Sequence, residues 1–97
     1  MKAIMIIYNQ AHTERIEYLM DKLGIKGYTL WENVRGRGSH TGVPHLDTHA
    51  WPEINKSLLT IVENDIVDEV LATVSKINSI NEEVGIRAFV WNVEKMV

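Results

Sequence analysis

The sequence has no cysteine, only two prolines, a single phenylalanine and no long uninterrupted apolar run. The missing cysteine excludes disulfides and thiolate metal sites. Stability must therefore come from packing, and an apolar fraction of 45% suffices for one modest core. Met1-Lys2 leads into six apolar residues, Ala3 to Tyr8, before Asn9-Gln10. Neither a secretory signal nor a membrane span is expected from such a run, and the expected location is the cytoplasm. Positive charge is also scarce. The net charge is −3, and apart from Arg35 and Arg37 the basic residues are scattered. This argues against a nucleic-acid partner, which calls for clustered Lys and Arg. At 97 residues the chain is expected to be one domain, residues 1–97. A domain of this size buries a limited share of its surface, so association with further copies is a natural supplement.

The Ile-rich run Ala3 to Tyr8 is too short for a helix and reads as a buried strand. Thr13 is a candidate cap for a helix over 13–23, in which Ile16, Leu19, Met20 and Leu23 form one stripe and Gly24 marks the stop. A second strand is expected over 27–37. Tyr28, Leu30, Glu32 and Val34 lie on one side of it, and Thr29, Trp31, Asn33 and Arg35 on the other. Residues 39–55 are polar, carry both prolines and show no period, which marks a long functional loop. A third strand is expected over 56–63. A second helix follows over 66–79, capped by Asp65, with Val67, Val70, Leu71, Val74 and Ile77 as its buried stripe. After a turn at 81–85 comes a fourth strand, 86–93. The order βαββαβ is the ferredoxin-like α+β arrangement: a four-stranded antiparallel sheet with two helices on one face and right-handed crossovers.

Two helices cover only one face of such a sheet. Yet the last strand carries Ile86, Ala88 and Val90 on one side and Phe89, Trp91 and Val93 on the other, and the first strand is apolar on both sides. An apolar face without intrachain cover predicts neighbouring copies of the chain. The competing possibility is that residues 39–55 fold back over it, although Trp51 is the main large apolar group they offer.

Four segments together resemble the P-II family of trimeric nitrogen-regulatory proteins. Residues 24–29 (Gly-Ile-Lys-Gly-Tyr-Thr) look like the start of that family's second strand. Residues 36–42 (Gly-Arg-Gly-Ser-His-Thr-Gly) look like the glycine-rich strand end from which its long loop departs. Residues 62–70 resemble the junction of its third strand and second helix, and residues 88–94 its last strand. The resemblance implies a homotrimer with three clefts between subunits. It also implies an adenine-nucleotide or other small anionic effector, and a loop that touches a protein partner such as a transporter or enzyme. It implies a regulator and not a catalyst. Carried over by position, the ligand-binding set is Gly36, Arg37, Gly38, His40, Gly85 and Arg87. His40 stands at the family's loop-base glutamine, and Arg87 at its phosphate-contacting lysine. Guanidinium groups grip anions bidentately, and glycines admit them to the backbone. The bland alternative is that Arg35, Arg37 and Arg87 are solvated strand ends paired with Glu32 or Glu94. Glu82 and Glu83 would repel phosphate, and the sequence stops at Val97, short of the family's basic C-terminal segment. Nucleotide binding is therefore expected to be weak, or replaced by another small anion.

Three of the four histidines, His40, His45 and His49, fall within ten residues. His45, Asp47 and His49 alternate, so an extended backbone would aim them the same way, and two imidazoles with a carboxylate suit a divalent transition metal. Their spacing matches no standard signature, and a solvated loop explains them equally simply. A metal-binding or metal-tolerance protein of CutA type is the rival function. Trp51-Pro52 is a candidate partner-contact tip or loop anchor. No nucleophile elbow, phosphate-binding loop or zinc-protease motif is present.

Overall fold

The computed structural model describes residues 1–35, 54–80 and 85–97. The Ile-rich run forms β1, Lys2–Asn9, at the heart of a sheet. It is followed by a short 3-10 turn, Gln10–His12, and by α1, Thr13–Lys22. Then come β2 (Thr29–Val34), β3 (Asn55–Val62), α2 (Asn64–Ile80) and β4 (Arg87–Asn92). The strands lie in the order β2-β3-β1-β4, and every neighbouring pair is antiparallel. The βαββαβ expectation stands. None of the described helices is long and apolar enough to cross a membrane.

Register assigns each side chain to a face. Ile4 lies between Thr60 and Val90, and Ile6 between Leu58 and Ala88. These residues pack with Ile16, Leu19 and Met20 of α1 and with Val67, Val70, Val74 and Ile77 of α2 in one core. Both helices therefore cover the same face. Ile4, Ile6, Ile16 and Val70 are fully buried there. The single polar group in the middle of this face, Thr60, donates its hydroxyl to the Gly27 carbonyl at 2.7 Å, so its burial leaves no orphan donor.

Gly24 ends α1 as expected. With φ at +71° it lets Ile25 N–H reach the Met20 carbonyl (2.9 Å) and its own N–H reach the Asp21 carbonyl (3.1 Å). That pair of bonds is the Schellman motif, and Ile25 and Met20 are both buried beside it.

Other expectations need correction. Thr13 does not cap α1: it is already helical, and its hydroxyl donates to the Gln10 carbonyl at 2.6 Å. The N-cap position of α1 is His12, whose side chain makes no capping bond, while Asn9 caps the preceding 3-10 turn by accepting from Ala11 N–H at 2.9 Å. The second helix starts at Asn64, which places Asp65 in its first turn, where a negative charge still suits the helix dipole. Leu71 is 36% exposed and falls outside the buried stripe. The described part of β2 is shorter than 27–37, and its alternation fails at Asn33, which has φ +57° at a register shift between Trp31 and Val34. A bulge of this kind re-aims the strand end.

Candidate functional site

The other face of the sheet has no cover among the described residues. Three rows cross it. Trp31, Ser57, Ile7 and Arg87 form one, Thr29, Leu59, Met5 and Phe89 the next, and Ile61, Ala3 and Trp91 the third. Phe89 is 51% exposed, Trp91 46% and Trp31 45%. Ala3 and Ser57 are small enough to sink between bulkier neighbours and are buried.

The first of these rows lies at the end of the sheet where the candidate ligand residues gather. β2 ends there at Val34, with Arg35 next. The chain returns there at Ile54, β1 finishes there with Asn9, and β4 starts there with Arg87. The Gln10 N–H bonded to the Ile54 carbonyl at 2.9 Å extends the β1–β3 ladder to this edge. Both flanks of segment 36–53, and the residues that follow 81–84, therefore share one end of the sheet. Arg35, after β2, and Arg87, opening β4, sit on opposite edges, however, while Ile54 leads into the interior strand β3. Three strand spacings separate β2 from β4, about 14 Å.

Of the ligand residues expected from the sequence, Gly85 and Arg87 are described. Gly85 has φ +61°, a conformation that costs a glycine little. Arg87 is exposed on the uncovered face, opposite Ile7. Gly36, Arg37, Gly38 and His40 lie outside the described residues, and so do the metal candidates His45, Asp47 and His49, the Trp51-Pro52 tip, and Glu82 and Glu83. Among the described residues no group of histidine and carboxylate side chains is placed to hold a metal.

Two features of this end escaped the sequence reading. The first is Asn78, in the last turn of α2. Its side-chain carbonyl accepts the Ile86 N–H at 2.9 Å, and its amide donates to the Ile86 carbonyl at 2.7 Å. The side chain thus pairs with the backbone of Ile86 as a neighbouring strand would. An asparagine eight residues before a strand carries no periodic signal that would reveal such a pairing. The second is Tyr8, buried beneath this end. Burial pushes its phenol above the ordinary value, and Glu17, Tyr28 and Glu32 push the same way.

Comparison with known proteins matches this architecture. Residues 1–97 match the family described as Nitrogen regulatory protein P-II, so the chain belongs to the P-II family. Its members are signalling proteins that regulate and do not catalyse, and this chain is a P-II-like signalling protein. Among curated proteins no match was found. Among solved structures, the chain is similar to CPII from Thiomonas intermedia K12 bound to ADP, AMP and acetate. The identity is 26% and the TM-score 0.72, covering 95% of this chain and 84% of that one. A second CPII structure, bound to ADP, AMP and bicarbonate, is 26% identical at TM-score 0.69, covering 99% and 94%. A PII-like signalling protein from Thermus thermophilus is 26% identical at TM-score 0.69, covering 95% and 85%.

Proposed function

We propose that the protein assembles into a homotrimer through its uncovered sheet face and binds a small anionic effector between subunits. In this reading the effector is an adenine nucleotide, bicarbonate or both, held by Gly36, Arg37, Gly38, His40, Gly85 and Arg87. Effector binding orders the 39–55 loop, which then presents or hides a surface for a protein partner in the cytoplasm. A ligand drives such a switch only through its differential affinity for the two loop states.

One observation carries the reading. Arg87 stands on the face that lacks cover, at the end of the sheet shared with the flanks of segment 36–53 but on the far edge. A cleft between two subunits is the simplest way to bring the two edges to one ligand. The uncovered face supplies the adhesion: burying the exposed half of a side chain such as Phe89 contributes about 1 kcal/mol. The ADP, AMP and bicarbonate bound by CPII indicate which small anions to try first. Arg87 suits them because a guanidinium meets carboxylate, bicarbonate or phosphate through two parallel N–H donors.

Isothermal calorimetry with ADP, AMP and bicarbonate tests this reading. Binding to the wild type and its loss in Arg87→Ala are expected. Equal binding by both proteins would remove Arg87 from the site. The clustered histidines favour one second reading, a metal site at His45, Asp47 and His49. Zinc uptake that disappears in His45→Ala, with the three anions silent, would decide for it.

A further inference from the structure

Beyond these contact residues, we propose that Asn78 is the positioning residue of the effector site, acting through the backbone of Ile86. The inference rests on the anion-binding reading above.

The geometry is specific. Asn78 uses both ends of its side-chain amide on one residue, accepting from Ile86 N–H and donating to Ile86 C=O. Ile86 is also held from its own side chain, which is 1% exposed within the core. A residue fixed through its N–H, its carbonyl and its side chain has little freedom left. Its two neighbours inherit that restriction. Gly85 precedes it in the left-handed region at φ +61°, and Arg87 follows it as the first residue of β4. Strand alternation then dictates the outcome: with Ile86 pinned inward, Arg87 must face the opposite, uncovered side. The clamp therefore sets which face the guanidinium occupies and where along the sheet it starts. It also ties this choice to the last turn of α2, which is packed into the core through Ile77.

The clamp has a chemical consequence as well. The Ile86 N–H is already committed to Asn78 and cannot serve as a donor to an anion. Anion contact at this point of the chain falls to Gly85 and to the Arg87 side chain. A ligand site works when its groups are held in place before the ligand arrives, because ordering them afterwards subtracts from affinity. Asn78 supplies that order without touching the ligand.

The test compares the full-length wild type with Asn78→Ala, Asn78→Asp and Val74→Ala. Asn78→Asp keeps the acceptor for Ile86 N–H and loses the donor. Val74→Ala trims a buried residue one turn earlier on the same helix, so it lowers stability and leaves the clamp intact. ADP, AMP and bicarbonate affinities are measured by calorimetry well below each melting temperature, and exchange of the Ile86 amide is followed by NMR. The expected result is affinity weakened about tenfold in Asn78→Ala, the scale of two lost hydrogen bonds. Ile86 exchange should accelerate in Asn78→Ala. Asn78→Asp should bind no better than Asn78→Ala, because its second carboxylate oxygen faces the Ile86 carbonyl where the amide donated, and Val74→Ala should bind like the wild type. Undiminished binding by Asn78→Ala, or an equal loss in Val74→Ala, overturns the proposal while leaving the effector reading in place. A wild type that binds none of the three probes overturns both.

Discussion

The two faces of the sheet are cut from the same strands and meet opposite fates. On one face Ile4, Ile6, Leu58 and Val62 are sealed by α1 and α2. On the other, Phe89 and Trp91 of β4 and Trp31 of β2 remain about half exposed. Both rows are apolar, so hydrophobicity alone does not separate them. What separates them is the supply of covering elements among the described residues, where two helices are enough for one side. The covered face is a folding problem solved by the chain itself. The uncovered face is an assembly problem that the chain poses to its neighbours.

Substitutions can separate these roles. The largest expected effect is on the covered face. Ile6→Ala should cost about 2–5 kcal/mol, because a fully buried side chain is deleted from a core that relaxes only in part. Urea unfolding measures it, and a cost well below this range would mean that the helices cover this face only loosely. Phe89→Glu should do the reverse, leaving the fold of each chain intact and dissolving the assembly, as seen by sedimentation velocity beside circular dichroism. Loss of the fold together with the assembly would make the two faces one cooperative problem. Gly24→Ala should cost roughly 1 kcal/mol, through the left-handed backbone alone, because an added Cβ meets nothing within 4 Å. A much larger cost would expose packing around the α1 stop. The smallest effect concerns Tyr8. Its phenol titrates above the ordinary value of 10 in the folded chain, so its contribution is complete below pH 10 and is lost as pH rises through the folded value. Alkaline unfolding followed by tyrosine absorbance should lose this component in Tyr8→Phe.

Element order was legible because it rests on local periodicity. The Ile-rich run, the stripe of Ile16, Leu19 and Met20, and the stop at Gly24 each state their geometry within a few residues. The double apolar character of β1 and β4 was legible for the same reason, and it pointed to the uncovered face. What was not legible depends on distant partners. Asn33 gives no sign in sequence that the register shifts there. Asn78 looks like an ordinary helix-end asparagine until Ile86 arrives beside it. Leu71 fits the spacing of the α2 stripe, yet it is 36% exposed and lies outside the core. Of the candidate ligand residues, Gly85 and Arg87 lie among the described residues. Gly85 and Arg87 were picked by type and position, but only the strand register showed that Arg87 faces the uncovered side.

The most direct measurement is sedimentation equilibrium of the full-length chain at micromolar concentration. The account predicts a mass three times that of one subunit, because the row holding Met5, Leu59 and Phe89 finds its cover in sister chains. A well-behaved single subunit at that concentration would contradict it, since within one chain the β2 and β4 edges stay about 14 Å apart and form no shared cleft.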